Sequence, residues 1–355
     1  MNGAKCEIPL AICADLYGCP NRCAHCWIGH MPNLPMAPDA DERIMEKFRP
    51  YFDTIEFYSW LREPDFCADY RARWERDKRL SVNCVPERFE LASFWRLVRD
   101  PEYVKFLKEV GVPRVQLTFF GMEETTDRYI GRKGAFRELL RATEILLENG
   151  ILPRWQAFIN EENRSELISL LRLSEELRLK ERCAEQGGEF RFFVHPGGCD
   201  GENRRLYGIR IVREHIPEEL KPYFLDLDDH RAESEFVSEW KDDASHFVPH
   251  REERIVIYVS NEYDLFFNFT HMRPEWRIGN LKTDPTDELI RRIVEEDIPA
   301  LNEAKRITLG ELVRAYGDPD SQRAFEEYDY KTYLLNAHLE KRYAEDHDGK
   351  DGDVR

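Results

Sequence analysis

The chain has 355 residues, and its 52 Lys and Arg against 69 Asp and Glu give a formal net charge of −17. Hydrophobic residues make up 42% of it, which is enough for the large buried core of a globular protein. So acidic a composition disfavours binding to nucleic acid, because that binding depends on clustered Lys and Arg. No apolar run approaches the roughly 20 residues that span a bilayer, and none near the N-terminus is long enough for a signal peptide. We therefore expect a cytoplasmic protein with neither nucleic acid nor a membrane as a partner.

The cysteines divide into one cluster and a scattered remainder. There are nine in all, an odd number, and without a secretion signal a disulfide framework is not expected. Cys19, Cys23 and Cys26 lie within eight residues of one another, whereas the other six show no regular spacing. This distribution indicates one local thiol site.

Short apolar runs alternate with amphipathic runs in the first 200 residues, which is typical of repeated βα units with a mainly parallel sheet. Two helices are predicted clearly, over 135–149 and 165–179. Six units are too few for a closed eight-stranded barrel, so we predict an α/β protein with an incomplete (β/α)6 TIM-like barrel. Its active site would lie at the carboxyl ends of the strands. The six predicted strands are 7–13, 54–58, 80–84, 114–119, 154–159 and 190–195.

The pattern changes after the barrel. Two β-like runs, 254–260 and 263–269, predict a hairpin, and helices are predicted near 233–241, 286–296 and 325–342. The domains predicted from this are a barrel core over 1–200, a helical linker region over 201–252, a C-terminal α+β extension over 253–343, and a disordered tail over 344–355.

The clustered thiols follow the first predicted strand directly, within Gly-Cys-Pro-Asn-Arg-Cys-Ala-His-Cys-Trp at residues 18–27. Their spacing is C-x3-C-x2-C. Three thiolates on so short a loop can hold three irons of a cubane [4Fe–4S] cluster, which leaves the fourth iron without a protein ligand. An open iron of this kind can accept a small chelating ligand.

This motif resembles that of the radical S-adenosylmethionine (SAM) enzymes, in which an aromatic or apolar residue stands before the last cysteine, the place of His25 here. The resemblance implies that Cys19, Cys23 and Cys26 ligate a [4Fe–4S] cluster whose open iron chelates SAM. It further implies reductive cleavage of SAM to a 5′-deoxyadenosyl radical that abstracts hydrogen from a substrate. Two alternatives remain, a zinc site in which His30 is the fourth ligand and three unligated thiols.

The resemblance extends to other predicted loops and strands. After its second strand the family has Gly-Gly-Glu-Pro, where Leu61, Arg62, Glu63 and Pro64 stand here. This implies that Glu63 holds the methionine amino group of SAM, although Leu61 and Arg62 replace the two glycines. It also implies contacts to the methionine or ribose from side chains on the fourth and fifth predicted strands, namely Thr118, Gln156 and Asn160.

Residues 259–290 loosely resemble the C-terminal extension of the SPASM/twitch-type subgroup. That extension normally adds cysteines for auxiliary clusters, but no cysteine follows Cys199 here. We therefore predict a single cluster.

The sixth predicted strand ends near two reactive side chains, His195 and Cys199. Cys199 is a candidate hydrogen-atom donor to a substrate radical, and His195 a candidate general acid or base. The alternatives are an inert small side chain for Cys199 and a hydrogen-bonded structural role for His195.

The predicted substrate is a small molecule, such as a sugar or a natural-product intermediate that undergoes epimerisation, dehydrogenation or rearrangement. We favour it because the first strand begins close to residue 1, which leaves no room for a leader-peptide-recognition domain. The alternatives are a peptide- or protein-modifying radical SAM enzyme and a non-enzymatic iron–sulfur or zinc-binding protein. The chemistry implies a reductant such as flavodoxin or ferredoxin. These donors are usually acidic, so a local basic patch near Arg22 is expected.

Overall fold

The computed structural model describes residues 5–198, 201–249, 253–268 and 272–348, with side chains described as far as residue 344. Its strands are β1 Leu10–Ala14, β2 Ile55–Tyr58, β3 Arg114–Phe119, β4 Leu152–Phe158, β5 Arg191–His195, β6 Arg231–Ala232, β7 Ile255–Val259, β8 Asp264–Phe267, β9 Arg277–Asn280 and β10 Ala324–Phe325. Its α-helices are α1 Ala40–Phe48, α2 Tyr70–Leu80, α3 Phe94–Arg99, α4 Pro101–Glu109, α5 Glu123–Ile130, α6 Ala135–Glu148, α7 Arg164–Glu176, α8 Leu179–Glu185, α9 Glu233–Trp240, α10 Thr286–Glu295, α11 Pro299–Ala304, α12 Leu309–Tyr316 and α13 Glu327–Asp348. Short 3-10 helices occupy Gly201–Ile209, Arg213–His215, Lys221–Tyr223, Leu227–Asp229 and Pro274–Trp276.

The described strands form two main sheets, which are not joined by a hydrogen-bonded ladder. One has the order β2-β1-β7-β8-β9 and the other the order β3-β4-β5, while β6 and β10 pair separately. β1 is parallel to both β2 and β7, and β3, β4 and β5 are parallel to one another. The α/β class is thereby confirmed, and the sheets are open, as expected of an incomplete barrel.

The predicted third strand is wrong. Leu80 is instead the last, buried residue of α2, and Val82 makes an isolated antiparallel bridge with Ile55. Asn83 has φ +56°, a left-handed conformation that interrupts an extended run. The apolar residues of this segment therefore finish a helix and cap a sheet edge rather than adding a strand.

The predicted hairpin is confirmed, and its first strand also pairs with β1, a partner that the sequence does not predict. β7 and β8 pair antiparallel, with Ile257 opposite Phe267. β7 also pairs in parallel with β1, with Ile12 opposite Ile257. The extension thus adds directly to the strand that leads into the thiol loop. Residue 269, the predicted end of the second run, lies outside the described residues.

The helices agree with the predictions except at their ends. The predicted helix over 165–179 is two helices, because Arg178 has φ +52° and separates α7 from α8. α13 continues to Asp348, so the first residues of the tail predicted to be disordered are helical. Among the described residues, none of the helices combines the length and the apolarity that crossing a membrane requires.

Two hydrophobic clusters fill the core. One joins β1 and α1 to the C-terminal elements, with Ile12, Ile257, Trp276 and Leu334 all buried in it. The other packs the β3-β4-β5 sheet against α2 to α8. Burial of this apolar surface is the main favourable term in folding, and it fixes the first strand between the barrel and the extension.

Asp77 on α2 predicts a pH dependence of stability. It is 1% exposed, its Oδ2 accepts from Ser59 N at 3.0 Å and Ser59 Oγ at 2.9 Å, and burial raises its pKa to about 7. An unfolded Asp titrates near pH ~3.9, so between about pH 4 and pH 7 Asp77 is protonated in the native state but ionised in the unfolded state. This proton uptake stabilises the native state at the lower end of that range, and the stabilisation is lost as the pH rises through it.

Asp77→Asn keeps an acceptor for Ser59 but cannot ionise. We expect the melting temperature of the variant minus that of the unsubstituted protein to be about 3 °C higher at pH 8 than at pH 5. Thermal melts of both proteins at the two pH values measure this. A difference that is the same at both pH values would contradict the assignment.

Candidate active site

A cavity of about 700 Å³ lies at the carboxyl ends of the parallel strands, within the roughly 300–1,000 Å³ typical of small-molecule sites. Leu61 and Asn160 do not line it, and Cys199 lies outside the described residues, so its role as a hydrogen-atom donor stays a prediction. The cavity is lined by the other predicted site residues, Cys19, Cys23, His25, Cys26, Arg62, Glu63, Thr118, Gln156 and His195.

Backbone contacts on two sides hold the thiol loop over residues 18–27. On one side, Arg22 N donates to Ile130 O at 3.0 Å and Ala24 N donates to Tyr129 O at 2.7 Å, both at the end of α5. On the other side, Glu202 N donates to Cys26 O at 2.7 Å. The loop therefore has a fixed path between α5 and the segment that follows β5, and its three thiols all reach the cavity.

The thiols suit a cofactor with a positive centre. Burial raises the pKa of Cys23 to about 12 and also raises those of Cys19 and Cys26, so the thiolates need a compensating charge. Among the described residues, no three His, Cys, Asp or Glu side chains converge on one point suited to a single metal ion. A cubane takes its protein ligands on separate irons, which fits thiols spaced around a loop better than one tetrahedral ion does.

His30, the fourth ligand in the zinc alternative, is engaged elsewhere. Its Nε2 donates to Cys23 O at 2.9 Å, and its Nδ1 lies 3.9 Å from Glu202 Oε1. The geometry therefore favours the iron–sulfur interpretation over zinc.

Glu63 lies beside the thiol loop, in the turn after β2. Its Oε1 accepts from Ser93 Oγ at 2.6 Å, and its Oε2 lies 4.0 Å from Cys19 Sγ. Burial raises the pKa of Glu63 to about 7. A cationic group bound here would favour the carboxylate form, so the position suits an ammonium next to the cluster ligands.

Three residues that were predicted to contact the cofactor have other roles in the fold. Leu61 is 4% exposed in the core, which leaves only its backbone for a ligand. Arg62 pairs with the buried Asp15 at 2.8 Å, although its side chain also borders the cavity. Asn160 donates to Tyr129 OH at 2.9 Å and accepts from Glu162 N at 2.9 Å, so its amide holds the loop after β4.

A hydrogen-bonded row of side chains forms the floor of the cavity across β3, β4 and β5. Arg154 donates to Gln116 Oε1, and Gln116 Nε2 and Thr118 Oγ1 both donate to Gln156 Oε1. Gln156 Nε2 in turn contacts His195 Nε2. Sequence reasoning missed Gln116, although it lies two residues before Thr118 and hence on the same face of the strand.

Two of the imidazoles that line the cavity, those of His25 and His195, are neutral. Burial, with a contribution from Arg210, lowers the pKa of His195 to about 4, which suits a base rather than an acid at neutral pH. His25 packs against the rings of both Phe120 and Phe158, at centroid distances of 4.4 and 4.5 Å, and burial lowers its pKa to about 3. Its buried Nδ1 has no hydrogen-bond partner among the described residues, as expected of a polar atom in a site that binds a ligand.

Substitution of Gly131, at the end of α5, tests whether the thiol loop depends on its close contact with α5. It has φ +71°, and a Cβ there would lie 2.7 Å from Arg22 O. Gly150 has φ +73° but open space around it, so Gly150→Ala is a matched control for the backbone strain of about 1 kcal/mol.

We expect both alanine variants to melt a few degrees lower and only Gly131→Ala to bind several-fold less iron after reconstitution, because only there must the loop move. Melting curves and iron analysis measure the two effects. Equal iron content in the two variants would show that the loop does not depend on this contact.

The sequence is similar to that of known proteins. A model described as Radical SAM superfamily matches residues 15–173. A segment of 84 residues is 36% identical to an Fe-coproporphyrin III synthase of Methanosarcina barkeri, over 24% of this chain. The match spans only 21% of that relative's length.

Two solved structures match this chain at low sequence identity. One is native anSMEcpe with bound AdoMet and Kp18Cys peptide, with 13% identity, a TM-score of 0.49 and coverage of 96% of this chain and 99% of the other. The other is Streptococcus suis SuiB bound to precursor peptide SuiA, with 12% identity, a TM-score of 0.39 and coverage of 73% and 58%.

The family match confirms the resemblance drawn from the cysteine motif. It ends at residue 173, so the likeness of residues 259–290 to a SPASM/twitch-type extension stays a prediction. Residues 15–173 are a domain of the radical SAM superfamily, an enzyme superfamily whose cofactors are a [4Fe–4S] cluster and S-adenosylmethionine.

Proposed function

We propose that Cys19, Cys23 and Cys26 hold one [4Fe–4S] cluster and that the protein uses SAM to abstract a hydrogen atom from a substrate. The observation that carries this proposal is the convergence of the three thiols and Glu63 on a single cavity. When bound, the reduced cluster would give one electron to SAM, which would then split into methionine and a 5′-deoxyadenosyl radical. The protein supplies binding, orientation and exclusion of side reactions.

Each wall of the cavity has a distinct part in this proposal. Glu63 accepts hydrogen bonds from the methionine ammonium of SAM, and Thr118 and Gln156 offer uncharged polar contacts to the rest of that molecule. Phe120 and Phe158 enclose the reacting region and exclude water. His195, kept neutral by burial, borders the cavity as the candidate general acid or base.

The size of the cavity supports a substrate with a small reacting part. About 700 Å³ must hold SAM as well as the substrate, so we propose a small molecule such as a sugar or a natural-product intermediate. The second candidate is one side chain of a peptide. It is favoured by the rim, where Trp27 and Leu91 line the cavity and are 46% and 42% exposed, since exposed apolar side chains can pack against a longer partner.

Anaerobic reconstitution followed by addition of dithionite and SAM tests the proposed function. We expect about four irons per chain and formation of 5′-deoxyadenosine, measured by chromatography. About eight irons would overturn the single-cluster proposal. A protein with its cluster but without 5′-deoxyadenosine formation, even with sugar and peptide substrates, would support the non-enzymatic alternative.

The electron donor is proposed to approach the thiol loop from the side of Arg22. Arg22 and the neighbouring Lys133 are exposed, and in the described part of the chain neither forms an ion pair. An acidic donor such as flavodoxin or ferredoxin would be attracted to this local positive charge on an otherwise acidic protein.

Arg22→Glu should slow reduction by flavodoxin several-fold at low salt, because steering depends on charge. Reduction by dithionite should not change. Arg172→Glu, which alters an exposed residue of α7 by the same charge, is the control. Equal flavodoxin rates for the two variants, measured by stopped-flow bleaching of the cluster, would count against this docking side.

A further inference from the structure

Residues 31–33 form a strap that crosses the start of the thiol loop. Two side chains from different parts of the fold hold its backbone. Arg62 donates to Met31 O at 2.8 Å and to Pro32 O at 3.1 Å. Asn261, in the turn between β7 and β8, donates to Pro32 O at 2.8 Å. The strap thus connects the turn that carries Glu63 with the hairpin of the extension.

The last residue of the strap, Asn33, forms hydrogen bonds with the backbone of Cys19. Asn33 Oδ1 accepts from Cys19 N at 3.1 Å, and Asn33 Nδ2 donates to Cys19 O at 2.7 Å. A side-chain amide offers one acceptor and two donors, so it satisfies both backbone groups of Cys19 at once. The approach is close enough to require glycine before the cysteine, because a Cβ on Gly18 would lie 2.2 Å from Asn33 Oδ1.

Arg62 makes this strap rigid. Its side chain is 7% exposed and pairs with Asp15, which is 1% exposed and lies directly after β1. Asp15 N donates to Val259 O at 2.9 Å, so the ion pair is anchored to the central sheet. Removing one member of a buried pair leaves the other charge uncompensated, which is strongly destabilising.

We propose that Asn33 is a positioning residue for Cys19 and that Arg62, in a place where the family motif has glycine, sets the strap that carries Asn33. The inference rests on the proposed cluster site. Cys19 Sγ lies 4.0 Å from Glu63 Oε2, so the strap fixes the position of the thiol relative to the carboxylate of the site. Groups that orient a metal ligand commonly affect metal affinity and redox potential.

The test compares three variants with a matched control. Asn33→Ala removes both bonds to Cys19, Asn33→Asp keeps the acceptor but places a second oxygen against Cys19 O, and Arg62→Lys keeps the charge opposite Asp15 without the planar fork. The control is Asn149→Ala, at the end of α6. It likewise removes a hydrogen bond from a side-chain amide to a backbone carbonyl, here from Asn149 Nδ2 to Ile145 O at 2.8 Å.

In the reconstituted protein we expect loss of iron to a chelator to be about tenfold faster for Asn33→Ala, within the range expected for the loss of its two hydrogen bonds. Asn33→Asp should lose iron faster still, and Arg62→Lys should lie between Asn33→Ala and the control. The midpoint potential and the electron paramagnetic resonance spectrum of the reduced cluster should also shift in the Asn33 variants. Variants that match Asn149→Ala in retention rate, potential and spectrum would overturn the proposal.

The metal-free protein gives a readout that does not need a cluster. Alkylation of Cys19 by iodoacetamide, followed by mass spectrometry, should be several-fold faster in Asn33→Ala, with Cys84 in the same chain as an internal reference. If the unsubstituted protein binds no cluster, the proposed function fails while faster alkylation still supports the positioning role. Unchanged alkylation of Cys19 relative to Cys84 would overturn that role independently.

Discussion

Cys23→Ala is expected to bind almost no iron after reconstitution and to form no detectable 5′-deoxyadenosine. Cys23 is the middle thiol of the loop and lies between the two backbone anchors at α5 and after β5. Two remaining thiolates cannot complete the three-ligand set that the proposed cluster needs. Iron and sulfide analysis together with absorbance near 400 nm measure the loss.

The control for this variant is Cys84→Ala. Cys84 belongs to the same chain but donates to Ile55 O at 3.2 Å and does not line the cavity. It should retain a full complement of iron. If Cys23→Ala retained as much iron as Cys84→Ala, the thiol loop would not be the cluster site.

Glu63→Gln is expected to weaken SAM binding about 10- to 100-fold, because it exchanges a charge-assisted hydrogen bond to an ammonium for a neutral one. The cluster should remain, since Glu63 contacts Cys19 without being required as an iron ligand. Titration of the reconstituted protein with SAM, followed by equilibrium dialysis, gives the dissociation constant.

Ser93→Ala provides the graded comparison, because it removes the hydrogen bond to Glu63 Oε1 and leaves the carboxylate in place. Its affinity for SAM should fall only a few-fold. A Glu63→Gln variant that binds SAM as tightly as the unsubstituted protein would remove Glu63 from the cofactor site.

Local patterns in the sequence predicted the elements that depend on local physics. The strand 114–119 was predicted with its observed bounds. The helical spacing in 135–149 predicts a stripe whose members are buried in α6 except Leu140, which is partly buried; the buried ones are Phe136, Leu139, Thr143, Leu146 and Leu147. A helical stripe and a β-alternation both lie within a few turns of chain, so they are visible without knowing the tertiary fold.

Features that depend on long-range contacts could not be predicted in this way. The pairing of β7 with β1 joins residues more than 200 positions apart, and neither strand carries a signal for its partner. The segment 80–84 has an apolar pattern compatible with a strand or the end of a helix, and in the structure Leu80 is the last, buried residue of α2. Short apolar runs are ambiguous in this respect.

Some residues of the candidate site could likewise be predicted from the sequence, and others could not. The three thiols were found because the proposed cluster chemistry requires their spacing, and Glu63 was found because the resemblance to the family motif implied it. Asn33 and Asn261 were missed because each makes a backbone contact across a long loop, which any polar residue with suitable geometry could provide. Arg62 was noticed as a departure from the family motif, but its part in holding residues 31–33 became visible only from its contacts.

Electron paramagnetic resonance of the dithionite-reduced protein, recorded with and without SAM, tests the central claim most directly. We expect the signal of one reduced [4Fe–4S] cluster, and a change in its g-values when SAM is added, because the open iron is the predicted site of chelation. Loss of the signal in Cys23→Ala and its retention in Cys84→Ala would assign it to the thiol loop. A cluster signal that SAM does not change at saturating concentration would contradict the account.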